Sequence, residues 1–165
     1  MSDGEGVLYR EVQRPRIGWA WLAIILPPAL AWWAFVQQVV LGEPWGDEPA
    51  PDAVVWALFL GLGLAWPALF LFWLRLITEV TMEEVRVRLV PFHFGWVRFS
   101  VGEIASAEAR RYRPVREYLG WGIRWGPSGR AYNLNGNEGV QLVLNSGRRV
   151  LIGSERAEEL EAAIR

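Results

Sequence analysis

The 165-residue chain has no cysteine, no lysine and a single histidine. Without cysteine there are no disulfides, thiolate metal sites or thiol nucleophiles. Without lysine there is no Schiff-base chemistry and no Walker-type phosphate lysine. One imidazole, His93, builds no histidine metal cluster, and its setting in "PFHFGW" reads as a structural or exposed residue at a strand end. None of the six serines lies in a G-x-S-x-G context. Glu43, Asp47, Glu48 and Asp52 do not have the spacing of an EF-hand loop. These absences argue against an enzyme, and no cofactor or metal is expected.

Charge is also missing from two long stretches. "IGWAWLAIILPPALAWWAFVQQVVL" (Ile17 to Leu41) and "AVVWALFLGLGLAWPALFLFWL" (Ala53 to Leu74) contain no charged residue. As helices at ~1.5 Å per residue both exceed the ~30 Å hydrocarbon core of a bilayer. Neither has a polar face, and the first is too long for a signal h-region and lacks an A-x-A-like cleavage site. Both are therefore expected to span a membrane, with kinks at Pro27, Pro28 and Pro67. Arginines flank the pair at Arg10, Arg14, Arg16, Arg75, Arg86 and Arg88, whereas the connecting loop is acidic. The positive-inside rule then places both termini in the cytoplasm. Trp19, Trp21 and Trp73 are expected at the inner boundary and Trp45 on the outer side. The expected segments are a cytoplasmic stretch 1–16, spans 17–41 and 53–74, an extracytoplasmic loop 42–52 and a cytoplasmic domain 75–165. A small-residue stripe at Ala53, Ala57, Gly61 and Ala65 is expected to pack the spans together, or to pair copies of the chain as a homo-oligomer.

After Ile77 the pattern changes to period two. In "VRVRLV", Val85, Val87 and Leu89 share one face while Arg86 and Arg88 share the other. "WVRFSV", "IASAEARRY", "GIRWG" and "AYNLNG" continue the strands. "VQLVLNSGRRVLIG" reads as a hairpin with Val140, Leu142 and Leu144 facing Val150 and Ile152. "SERAEELEAAIR" reads as a helix with Ser154 at its cap and Ala157, Leu160 and Ile164 as its apolar stripe.

The segments "REVQR", "GWGIRWGPSGRAYNLNG" and "GRRVLIGSERAEELEAAI" resemble those of small bacterial membrane proteins with two transmembrane helices and a pleckstrin-homology-like (PH-like) cytoplasmic domain. The resemblance implies an α+β fold: a two-helix transmembrane hairpin, then a PH-like antiparallel β-barrel closed by a C-terminal α-helix. It also implies a multi-pass protein of the bacterial inner membrane. The first hairpin tip, Met82-Glu83-Glu84, is acidic, which argues against inositol-lipid recognition by the route of eukaryotic PH domains.

The glycines of "GWGIRWGPSGRAYNLNG" match neither a dinucleotide fingerprint nor a P-loop and are read as strand ends and turns. "RRYRPVREY" is the better functional candidate. Arg110, Arg111, Arg113 and Arg116 are interleaved with tyrosines, and beside an anionic leaflet each arginine contributes ~1 kcal/mol. The alternative is a solvated loop paired to Glu108 and Glu117. Nucleic acid is not expected, since there is no aromatic RNA-binding motif and the net charge from Arg75 to Arg165 is only about +3. The leading expectation is a non-enzymatic integral membrane protein that presents a PH-like interaction module on the cytoplasmic face, for a protein partner or the membrane surface. The alternatives are an anionic-lipid sensor using Arg110–Arg116 and, more weakly, a channel or transporter subunit.

Overall fold

The computed structural model describes residues 6–16, 20–43 and 48–165. The placements expected for Ile17, Trp19, Trp45 and Asp47 lie outside these residues, as does the side chain of Trp21. The chain divides into two units, Arg16–Trp73 on one hand and Met1–Pro15 with Leu74–Arg165 on the other.

The larger unit is built on two sheets. Strands β1 (Val7–Gln13), β2 (Arg75–Thr81), β3 (Glu84–Val90) and β4 (Val97–Ser100) pair in sequence order, all antiparallel. Strands β5 (Ile104–Arg111), β6 (Gly122–Gly126), β7 (Gly129–Asn133), β8 (Glu138–Leu144) and β9 (Arg149–Gly153) form the second sheet, in the order β5-β8-β9-β7-β6. There β7 and β9 are parallel. Alternation decides what each strand buries. Val85, Val87 and Leu89 of β3 are buried, while Arg86 and Arg88 lie on the other face. Val140, Leu142, Val150 and Ile152 join them in one core, into which helix α4 (Ala157–Ile164) sends Ala157, Leu160 and Ile164. A second, smaller core holds Tyr112, Tyr118, Ala131 and Leu151. It lies on the opposite face of β7 and β9, under the short helix α3 (Pro114–Tyr118).

β1 is locked to the far end of the chain by a buried carboxylate. Glu11 accepts hydrogen bonds from Tyr9 Oη (2.5 Å), Ser154 Oγ (2.6 Å), the Glu155 amide (2.8 Å) and Gln13 Nε2 (3.1 Å). Burial, and then the bond to Glu11, push the Tyr9 phenol well above its ordinary range, so it stays a donor. Ser154 Oγ also accepts the Arg156 amide hydrogen just ahead of α4. Glu11→Gln keeps the volume but turns one acceptor into a donor facing donors. It should cost about 1–3 kcal/mol in urea unfolding, and a neutral result would remove Glu11 from this role.

The smaller unit contains α1 (Ala20–Phe35, with a π-helical continuation Val36–Val40) and α2 (Asp52–Trp73). They meet through Ile24, Ala31 and Ala34 on α1 and Val55, Phe59 and Gly63 on α2, all buried. Phe35 stacks on Phe59 at 4.1 Å between ring centroids, and Trp32 Nε1 donates to the Gly63 carbonyl at 3.3 Å. The stripe Ala53, Ala57, Gly61 and Ala65 is exposed and does not form this contact. Its period of four follows one edge of the helix, whereas the aromatic rings of Trp32, Phe35 and Phe59 fill the gap along another.

The expected architecture is thereby corrected. The chain does not build a two-helix transmembrane hairpin followed by a single PH-like barrel. Among the described residues nine strands divide into two sheets, one pair is parallel, and β1 joins its sheet from before the helices. Val7–Gln13, within the stretch expected ahead of the first span, pair with β2 as β1 of the sheet unit. The multi-pass inner-membrane placement with both termini cytoplasmic is corrected too. Among the described residues only one helix, Asp52–Trp73, is long and apolar enough to cross a membrane, and the other apolar helix, Ile24–Val40, is shorter. Absence of charge fixed the length of the first run in the sequence, but not the length of described apolar helix within it.

A candidate anion-binding cleft

Three chain segments converge on one cleft of about 550 Å³ in the sheet unit. β4 contributes Val97, Arg98 and Phe99. The β6–β7 hairpin contributes Trp125, Gly126, Pro127, Gly129, Arg130 and, from within β7, Tyr132. The β8–β9 turn contributes Gly147, Arg148, Arg149 and Val150. The volume falls in the roughly 300–1,000 Å³ range of small-molecule sites. Four arginines line it and, among the described residues, no carboxylate does.

The arginines differ in how they are held. Arg130 lies over the ring of Trp125 at 4.6 Å and over that of Tyr132 at 4.9 Å. Stacking on aromatic faces leaves the in-plane N–H groups of a guanidinium for an acceptor. Its Nε is buried and has no hydrogen-bond partner among the described residues. A buried donor left unpaired is costly, and an anion in the cleft would satisfy it. Arg148 and Arg149 are exposed and make no ion pair among the described residues. Among the described residues Arg98 has only an exposed, long contact with Glu84, 3.8 Å.

The cleft exists because two backbones approach closely. Gly126 and Gly129 close the β6–β7 hairpin opposite each other, around Pro127 and Ser128. A Cβ on Gly126 would stand 1.9 Å from the Glu117 carbonyl oxygen, and one on Gly129, at φ +100°, 2.1 Å from that of Arg149. Glycine here is a packing requirement as well as a turn preference.

His93 packs beside this site. Its ring meets the edge of Tyr132 at 5.6 Å, and its Nδ1 accepts the Leu89 amide hydrogen at 3.1 Å. Burial, then the charges of Arg130 and Arg88, hold its pKa below the ordinary imidazole value. A neutral ring is also what the Leu89 bond requires, because protonating Nδ1 removes the acceptor.

The arginines singled out in the sequence are not brought together as one patch. Arg110 Nη2 pairs with Glu117 at 2.8 Å and bonds Gln141 Oε1 at 3.1 Å. Burial opposes its charge, but the bond and the charge of Glu117 outweigh this and raise its pKa. Arg111 pairs with Glu138 at 2.7 Å. Arg113, just ahead of α3, and Arg116, within it, are exposed, and the Arg113 amide donates to Glu117 at 2.8 Å. The tyrosines between them are buried, and burial pushes the Tyr112 phenol up to about 12. This segment is largely the lid of the second core. The cleft arginines escaped the sequence reading because they lie on three separate hairpins. The one local signal was "GRR" at 147–149, read as part of a turn.

Over residues 2–165 the chain matches a family described as "Family of unknown function (DUF6141)", and it belongs to that family. No curated protein matches it.

Proposed function

We propose that this member of the family is a membrane-attached binding module that takes an anionic group, such as a phosphate, in the cleft formed by Arg98, Arg130, Arg148 and Arg149. One observation carries the reading: among the described residues, four arginines and no carboxylate line the cleft, and the buried Nε of Arg130 has no hydrogen-bond partner. Binding fits the lining better than catalysis. Its ionisable groups are guanidiniums, which do not act as bases, and Tyr132, whose pKa burial raises further. Membrane attachment is supported by α2, which leaves Leu60, Leu64, Leu71, Phe72 and Trp73 exposed. An apolar surface of that extent calls for a nonaqueous neighbour, and a bilayer supplies one.

The test uses the full chain in nanodiscs of neutral lipid, titrated with inorganic pyrophosphate in a calorimeter. Binding is expected at low salt and should weaken as salt shortens the Debye length. Arg130→Gln should lower the affinity about tenfold or more, since hydrogen bonds to charged groups contribute about 1.5–3 kcal/mol. Arg116→Gln should leave it unchanged. If Arg116→Gln abolishes binding while Arg130→Gln does not, the anion contact belongs to the Arg110–Arg116 segment and the cleft is not the site. No binding by the unmodified chain would end the proposal.

A further inference from the structure

We infer that the anion this cleft takes is the headgroup phosphate of a bilayer lipid, and that Phe92 and Phe94 on the adjoining loop enter the same bilayer surface. The inference rests on the reading of the cleft as an anion site and adds the partner.

The loop from Pro91 to Trp96 joins β3 to β4, and β4 forms one wall of the cleft. His93 turns inward against Tyr132, and its carbonyl oxygen accepts a hydrogen bond from Arg88 Nε at 3.3 Å. The two neighbouring aromatics do the opposite. Phe92 is 57% exposed and Phe94 98% exposed. Trp125, which stacks on Arg130, is itself 67% exposed. So a loop whose central histidine packs on Tyr132 of the cleft holds two phenylalanines in water.

A soluble anion would account for the arginines but would leave Phe94 in water. A bilayer accounts for both. Each arginine near an anionic leaflet is attracted to it, while aromatic side chains settle at head-group depth. The far end of β3 offers a contrast within the same sheet. There the β2–β3 turn carries Met82 between Thr81 and the acidic Glu83 and Glu84, which an anionic surface repels. Glu84 itself comes within 3.8 Å of Arg98 on the cleft wall, so the contrast is between the two loops and not between the ends of the sheet.

The absence of cysteine makes a direct test possible. A single cysteine introduced as Phe94→Cys is labelled with a nitrobenzoxadiazole fluorophore, and the full chain is placed in nanodiscs. Discs of phosphatidylcholine alone are compared with discs containing phosphatidylglycerol. The label should show a blue-shifted, several-fold brighter emission in the anionic discs, with protection from aqueous iodide. The same label at Met82→Cys should not distinguish the lipids. Adding Arg130→Gln, or Arg148→Gln with Arg149→Gln on the exposed turn, should return the Phe94→Cys signal to its neutral-disc value. Equal iodide access in both discs would overturn the inference. If pyrophosphate still binds in that case, the cleft reads a soluble anion and the proposed function stands without a lipid partner. If pyrophosphate fails as well, both readings fall. Equal protection in both discs would show bilayer contact without headgroup recognition, which also overturns it.

Discussion

Gly129→Ala should destabilise the sheet unit by about 2–6 kcal/mol and abolish anion binding in the cleft. Two costs combine at this position. A residue with a Cβ at φ +100° is strained by about 1–3 kcal/mol. The added carbon would also stand 2.1 Å from the Arg149 carbonyl oxygen and 2.7 Å from its carbon. Those are backbone atoms of a paired strand, so no rotamer change relieves the overlap, and overpacking of this kind adds about 1–3 kcal/mol. The hairpin must lift from β9, and it takes Trp125 and Arg130 with it. Gly136 is the control: it also has a positive φ, +62°, but nothing within 4 Å of its Cβ position. Gly136→Ala should cost only about 1–2 kcal/mol, the conformational part alone. Urea unfolding of the two variants decides the matter. Equal losses would mean that turn conformation, and not close approach of the hairpin to β9, fixes glycine at 129.

The second large effect belongs to the core. Leu142 is fully buried and lies opposite Val150, as Val140 lies opposite Ile152. Leu142→Ala should cost about 2–5 kcal/mol, from lost transfer free energy and the cavity left behind. Its neighbour Gln141 points to the other face of β8, where its Oε1 accepts from Arg110 Nε (3.3 Å) and Nη2 (3.1 Å). Those bonds are partly exposed, so Gln141→Ala should cost about 1 kcal/mol. That is more than strand alternation alone suggests, because alternation puts Gln141 in water. Unfolding curves should separate the pair clearly. Equal sensitivity would mean that β8 does not present Leu142 to the main core.

These two positions show where local reading succeeds and where it stops. The β8–β9 hairpin is legible because a two-residue period and a glycine turn are properties of neighbouring residues. The same holds for Val85, Val87 and Leu89, and for the Ala157, Leu160 and Ile164 stripe of α4. The role of "RRYRPVREY" is not local. Its arginines stand out in the sequence as a basic cluster, but Tyr112 and Tyr118 fold under it, and Arg110 finds Glu117 and Gln141.

By itself the sequence determined the strand periodicity, the apolar runs, the terminal helix and the exclusion of thiol and lysine chemistry, because each depends on composition or on spacing within a few residues. It also marked the glycines of "GWGIRWGPSGRAYNLNG" as architectural. The tertiary structure decided what was nonlocal. It brought β1 across the whole helical segment to pair with β2, divided the strands between two sheets and faced Val55, Phe59 and Gly63, not the small-residue stripe, towards α1. It also assembled Arg98, Arg130, Arg148 and Arg149 from three hairpins around one cleft. The physical reason is the same in each case: side chains distant along the chain meet only when backbone pairing sets the register, and no short-range pattern encodes which edges will pair.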